Sequence, residues 1–327
     1  MLKLYKRLFF VILLIGIISG AVIYYTVDIN TFRHLSSFRI WSLAAVLFFL
    51  SVGLYFDGTR LMHLVRISGE NISLMEAVQV VFGNYFLAAL TPGAAGGALA
   101  QVLFLRRAGV PTGKATVLVV VRTILSILFL LLCMPVVFYY DPGVMPWISE
   151  DLLSVISSAV IISILATIWL LRKNTLAYFL VAFTKRLHYT RRRRVFSIYR
   201  DVRGAILMLS SAPLSMLRVF IESAISLLSL YSVVPTLFMG IGAEVNWLHV
   251  LGRMIFLNIL LYFAPTPGGS GIAEGGFVVL FNEFVPSGTV GIVAVVWRMV
   301  AEYIPFVIGL YFTVKVFGRA FLASQIK

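Results

Sequence analysis

Pro265-Thr266-Pro267-Gly268-Gly269-Ser270-Gly271 lies inside a long apolar region and interrupts the helical pattern on both sides of it. Its two prolines remove backbone donors, and its three glycines add chain freedom that a helix interior disfavours. A mostly apolar run, Trp247 to Ala264, leads in, and a second, Ile272 to Phe281, leads out. A bilayer crossing needs about 20 apolar residues, so neither run is a comfortable span alone. Irregular backbone at membrane depth persists only where protein buries it or where it lines a watery cavity. The stretch therefore predicts a re-entrant hairpin of two part-length helices with its tip near the middle of the membrane.

The same device occurs earlier. Leu74 to Leu90 runs into Thr91-Pro92-Gly93-Ala94-Ala95-Gly96-Gly97, and Ala98 to Leu105 runs out. Asn84 precedes Thr91 by seven residues, and Asn258 precedes Thr266 by eight. Arg122 follows Pro92 by 30 residues, and Arg298 follows Pro267 by 31. Two interrupted segments at corresponding places in two halves point to a transporter-type internal repeat with its binding site at the breaks.

With 61% hydrophobic and 12% charged residues, the chain reads as an all-α polytopic membrane protein and not as a soluble domain. The longest polar segment, Arg172 to Arg203, is itself broken by apolar residues, so no soluble catalytic domain is expected within it. The single cysteine, Cys133, excludes a disulfide framework and a cysteine metal site, and the four histidines are scattered. Gly269-Ser270-Gly271 lacks the spacing of a nucleophile elbow, and no Walker lysine follows either glycine patch. The expectation is a non-enzyme without metal or cofactor, whose transport is passive or ion-coupled.

The net charge of +14 could suggest nucleic acid, but its placement favours an orientation signal and attraction to anionic headgroups instead. Spans are expected at Leu8–Val27, Ile40–Phe56, Ala115–Tyr139, Leu152–Leu171, Pro213–Met239 and Val290–Val314. Lys3, Lys6 and Arg7 put the N-terminus inside, and the first span reads as an uncleaved helix rather than a signal peptide. Arg60 and Arg66 mark the cytoplasmic end of the second span, and Lys315, Arg319 and Lys327 mark a cytoplasmic C-terminus. Of 27 basic residues, Arg33 and Arg39 fall in an external loop; Arg122, Arg218, Arg253 and Arg298 touch apolar segments; the other 21 are cytoplasmic.

Residues 1–327 then form one transmembrane domain of about six spanning helices and two oppositely oriented hairpins. A first repeat covers 40–139 with its hairpin at 74–105, and a second, inverted repeat covers 213–318 with its hairpin at 247–283. A basic cytoplasmic segment, 172–212, separates them.

Ionisable groups inside spans are costly and usually face a cavity or a partner. Arg122 has no acidic residue three or four positions away, so it needs a partner from elsewhere, and a lipid phosphate suits a guanidinium. Arg298 can pair with Glu302 one turn on, as a structural ion pair or a coupling site. Glu274, in the first turn after the second break, complements the helix dipole or meets Arg122 or Arg298. The break residues Thr91, Gly96 and Gly97, with Thr266, Gly268, Gly269, Ser270 and Gly271, are expected to leave backbone N–H groups free for an anionic group. Asn84 and Asn258 are expected to hydrogen-bond the opened backbone or the substrate. Glu222 pairs locally with Arg218, and the arginine run 191–194 reads as a solvated, lipid-facing cluster.

Asn84 through Pro92-Gly93 and Gly96-Gly97, then Arg106-Arg107, and later Pro265 through Glu274, resemble the lysylphosphatidylglycerol synthase transmembrane, or flippase-like, family. The likeness covers about residues 5–320. The family is similar to the flippase portion of the bacterial multiple peptide resistance factor, which moves aminoacylated phosphatidylglycerol between leaflets. No soluble synthase domain is read in this chain, so the resemblance implies translocation and not lipid aminoacylation. Family members often carry an acidic residue just after the first Gly-Gly and an arginine a little beyond; here those places hold Ala98 and Gln101. The expected function is a lipid translocase of the cell membrane that moves an anionic or zwitterionic headgroup through a midplane cavity. Its expected partners are phospholipid or polyprenyl-phosphate lipids. The alternatives are a carrier of polyprenyl-phosphate or its sugar-linked forms, and a non-transporting scaffold for a lipid-modifying enzyme. A homo-oligomer is a further partner class left open.

Overall fold

The computed structural model describes residues 38–91, 93, 95–144, 211–285 and 289–323, with scattered residues between 152 and 207. The expected first span, Leu8–Val27, lies outside the described residues, as does most of Leu152–Leu171 and of the basic segment 172–212. Every regular element among the described residues is helical. Among the described residues, four helical stretches are long and apolar enough to cross a membrane: Ile40–Ile67, Thr112–Tyr140, Pro213–Gly240 and Val290–Phe317.

In chain order the helices are α1 (Ile40–Ile67), α2 (Leu74–Ala89), α3 (Ala95–Arg107) and α4 (Thr112–Tyr140). After the basic segment come α5 (Pro213–Tyr231), α6 (Val233–Gly240), α7 (Trp247–Tyr262), α8 (Ile272–Phe281), α9 (Val290–Arg298) and α10 (Ile304–Ala323). The two sets match in kind. A long helix comes first, then a 16-residue helix, a break, a shorter helix, and a long helix to finish.

Local chemistry sets the ends. Ser73 and Glu76 form a reciprocal cap at the start of α2, and Asn246 Oδ1 accepts from the Leu248 N–H at the start of α7. Pro235 interrupts the long second-half helix, since it supplies no N–H near Tyr231 and the chain turns at Ser232 between α5 and α6. Between α9 and α10 the chain makes a π-helical turn over Met299–Tyr303. Pro305 follows it, and its missing donor accounts for the widened turn. At the second break Gly268, Gly269 and Gly271 have φ of +58°, +68° and +83°, where only glycine sits without strain.

The packing crosses between halves. α1 lies along α5, and Gly53 and Ser226 make the approach: Ser226 Oγ donates to the Gly53 carbonyl at 2.8 Å. α2 packs on α10, where Gly309 brings the two backbones together, and α7 packs on α4 at Gly252 against Val137. Each hairpin thus leans on the last long helix of the other half. Small residues at these crossings suit helices that meet in lipid, where close backbone approach and dispersion drive association. The outer surface carries large apolar side chains, with Ile40, Leu214, Phe263 and Val279 all more than 70% exposed, while Asp57, Arg60, Arg122, Asp141, Arg253, Glu274 and Arg298 are buried. That inside-out distribution is that of an integral membrane protein.

α1 corrects one expectation. It runs on through Asp57-Gly58-Thr59-Arg60 to Ile67, and Arg60 is buried. Arg60 therefore marks no cytoplasmic end; it belongs to the interior charge network described below.

A separate buried clamp ties α4 to the second hairpin. Arg253 of α7 donates through Nε to Asp141 at 2.6 Å and through Nη1 to the Leu280 carbonyl at 2.6 Å, and pairs with Glu283. Arg253→Leu strands a buried Asp141 and is expected to cost about 3 kcal/mol. A fall in the thermal midpoint of detergent-purified protein measures it, and adding Asp141→Leu should recover most of the loss.

Candidate functional site

Asp57, Arg60 and Arg122, with Gln101 and Asn84, form one relay across four helices of the first half. Arg122 of α4 donates through Nη2 to Asp57 Oδ2 at 2.5 Å and through Nη1 to Gln101 Oε1 at 2.5 Å. Gln101 of α3 passes the chain to Asn84 of α2, Nε2 to Oδ1 at 2.8 Å. Asp57 Oδ1 also accepts from Arg60 Nε at 2.6 Å, and Arg60 Nη1 donates to Ser126 Oγ at 3.0 Å. Asp57, Arg60, Gln101 and Arg122 are all at most 6% exposed. Two guanidiniums share one carboxylate, an arrangement in which each charge is compensated only while Asp57 is ionised.

The second half inverts the ratio. Arg298 donates through Nε to Glu274 Oε1 at 3.1 Å and through Nη2 to the Gly268 carbonyl at 3.1 Å, and its Nη1 pairs with Glu302. Glu274 Oε2 in turn accepts from the Gly271 N–H at 2.7 Å, which caps the first turn of α8. One guanidinium thus braces the break, the start of α8 and the π-turn together.

Between the two networks lies a cavity of about 450 Å³. Both breaks reach it: Gly93, Ala95 and Ala98 from one, Ala264, Thr266, Gly268 and Gly269 from the other. The breaks also touch, because a Cβ at Gly268 would stand 3.4 Å from Ala89 Cα. Arg122, Asp57, Arg60 and Glu302 supply charge to the wall; Tyr85, Tyr231, Tyr262 and Trp297 supply aromatic surface. Arg122 Nε and Thr266 Oγ1 are buried without a hydrogen-bond partner among the described residues. Buried polar groups are rarely left so, and both belong to residues that line this cavity.

The expected site residues divide. Arg122, Asn84, Asn258, Thr266, Gly268, Gly269 and Glu302 line the cavity. Arg298 and Glu274 stand behind the wall, engaged with each other, so Arg298 is not the second cavity guanidinium that was expected. Thr91, Gly96, Gly97, Ser270 and Gly271 shape the breaks without lining the cavity. Free N–H groups at the breaks were a further expectation, which the geometry corrects at Gly96, Gly269 and Gly271. Gly96 N–H donates to Thr91 Oγ1 at 2.7 Å, Gly269 N–H to the Thr266 carbonyl at 3.1 Å, and Gly271 N–H to Glu274. The Thr91 hydroxyl, the Thr266 carbonyl and the Glu274 carboxylate, all close to the breaks, reach those donors first. The asparagines are not shown bonding the opened backbone: Asn84 accepts from Gln101, and Asn258 Nδ2 donates to the Met254 carbonyl of its own helix at 2.9 Å. Gly97 packs tightly there, with an added Cβ only 2.4 Å from Asn84 Oδ1. Glu222 pairs with Arg218 as expected, at 3.1 Å, and also meets His63 Nδ1 at 2.9 Å.

Three network members escape a reading of the sequence: Asp57, Arg60 and Gln101. Asp57 and Arg60 stand three apart, a spacing that shares a helix face, and this was the available signal. Arg122 looked partnerless because Asp57 lies 65 residues away. Gln101 is held between Arg122 and Asn84.

The family model for the lysylphosphatidylglycerol synthase TM region matches residues 9–309. The chain belongs to this family. A UPF0104 membrane protein of Archaeoglobus fulgidus is 22% identical over 273 residues, covering 80% of this chain and 83% of its relative. The family match spans both hairpin helices, both breaks and every charged residue of the two networks. The polar interior of this lysylphosphatidylglycerol synthase TM region is therefore built from residues within the matched family region.

Proposed function

We propose that the protein is a lipid translocase. A phosphate-bearing headgroup crosses through the cavity between the two breaks while its hydrocarbon chains stay in the bilayer. The observation that carries this reading is Arg122, a buried residue that lines a 450 Å³ cavity between the two breaks and whose Nε lacks a partner among the described residues. A guanidinium donor in a low-dielectric cavity binds a phosphate oxygen strongly. Membership of a lipid-related membrane family supports the reading. In this proposal α2–α3 and α7–α8 are re-entrant hairpins of two inverted repeats, approached from opposite sides. Their short helices and the exchange of packing between halves support it. Both termini then face the cytoplasm, and the chain moves lipid without covalent chemistry.

The test is headgroup translocation in proteoliposomes with labelled phospholipids and labelled polyprenyl phosphate. Arg122→Gln keeps the helix but removes the cation, and loss of one charge-assisted contact should slow transport about 10–100-fold. Unchanged transport in folded Arg122→Gln protein would refute the reading. So would an inability of monodisperse wild-type protein to move any of these lipids, which would leave a scaffold as the better description.

A further inference from the structure

The six ionisable side chains at the breaks form two clusters of opposite sign. In one, Arg60 and Arg122 share Asp57, two cations against one anion. In the other, Glu274 and Glu302 share Arg298, two anions against one cation. Together they are neutral. An anionic headgroup that reaches Arg122 therefore adds an uncompensated negative charge to a cavity at membrane depth, where such charge is costly.

One carboxylate is placed to relieve it. Asp57 holds two guanidiniums, and Glu274 commits one oxygen to Arg298 and the other to the Gly271 N–H. Glu302 has a single assigned partner, Arg298, and its side chain is 26% exposed where those of Arg298 and Glu274 are 3% and 5%. It lines the cavity from the π-turn. On its own side it meets Arg298 and, through that group, Glu274, and Tyr303 follows it. Across the cavity stand Asp57 and Arg60 of α1, Tyr85 of α2 and Arg122 of α4. Tyr231 of α5 and Tyr262 of α7 complete the titratable wall.

We propose that Glu302 takes up one proton from water as an anionic headgroup engages Arg122, so that lipid and proton cross together. This rests on the translocase reading above. Protonation removes one of two carboxylates competing for Arg298 and leaves Arg298–Glu274 as a matched pair. The proton returns to water from Glu302 when the headgroup leaves on the far side. A metal cation suits the place less well, because among the described residues no three His, Cys, Asp or Glu side chains gather as a metal site. A lipid amine is the remaining source of positive charge, and it would make the proton unnecessary.

The experiment uses full-length protein in phosphatidylcholine vesicles, with fluorescent phosphatidylglycerol and labelled polyprenyl phosphate as anionic probes and labelled phosphatidylethanolamine as the zwitterionic one. Leaflet distribution is read by chemical quenching under a pH gradient or a potassium diffusion potential. For wild type, one pH unit should drive about tenfold accumulation of singly charged phosphatidylglycerol toward the alkaline side, with little response to potential. Glu302→Gln should lose the pH response and become electrogenic, with about 100 mV shifting the distribution about fifty-fold. Glu302→Asp should keep the pH response. Anionic transport by wild type that ignores the pH gradient overturns the proton while leaving the translocase standing. A pH response retained in Glu302→Gln overturns the assignment to Glu302, and movement of phosphatidylethanolamine alone replaces the proton with the lipid amine. If no probe moves, the translocase reading and this inference fall together.

Discussion

Asp57→Asn is expected to destabilise the protein by about 3–5 kcal/mol and to abolish translocation. The change is nearly isosteric, so it alters charge and not shape. It leaves Arg60 and Arg122, both at most 6% exposed, without their shared carboxylate, and they then repel each other inside the bundle. Removing one partner of a buried pair costs far more than the intact pair contributes, because a desolvated charge remains. The thermal midpoint in detergent should fall by about 10 °C. A second change, Arg60→Met, removes one stranded cation and should restore part of the midpoint, a non-additivity that a double-mutant cycle reads directly. Transport should stay lost, because Arg122 no longer has the carboxylate that holds its guanidinium at the cavity wall. A midpoint unchanged in the single variant would show that the three-residue cluster is not held together as described.

Gly309→Leu carries the second large effect. A Cβ at Gly309 would lie 2.1 Å from the Phe82 carbonyl oxygen and 2.9 Å from Phe86 Cβ. The first obstacle is backbone, so rotamer changes cannot relieve it, and α10 must move away from α2. That separation undoes the tilted ring contacts of Phe82 with Phe312 and of Phe86 with Phe306, whose ring centroids stand 6.0 and 5.2 Å apart. Overpacking of this kind costs about 3 kcal/mol or more. Gly309→Leu should therefore yield little monodisperse protein, and Gly309→Ala should fall between it and wild type. A milder relative is Gly268→Ala. There a φ of +58° and a Cβ only 3.4 Å from Ala89 Cα combine at the contact between the breaks. The expected cost is about 1–2 kcal/mol of strain, with transport reduced in folded protein.

Much of this architecture is legible in the amino-acid order. The two Thr-Pro-Gly breaks fall where the helices stop, and the Asn and Arg residues that flank them recur on corresponding helices. Local rules suffice for such features, since proline withholds a donor and glycine accepts a positive φ wherever they occur. The Arg298–Glu302 pair was readable for the same reason: it lies within one turn. The family, too, follows from motif residues that sit at the breaks.

What only the tertiary structure decided is which charges meet and which face the cavity. Asp57 reaches Arg122 across 65 residues because α1 and α4 pack together, and Gln101 joins them because α3 packs on α4. Arg298, equivalent to Arg122 in spacing from its break, turns instead to Glu274 and the Gly268 carbonyl and leaves the cavity wall. The break amides likewise found Thr91 and Glu274 rather than standing open. A buried polar group takes whatever partner the assembled helices bring within about 3 Å, and that distance is a property of packing that residue spacing along the chain does not carry.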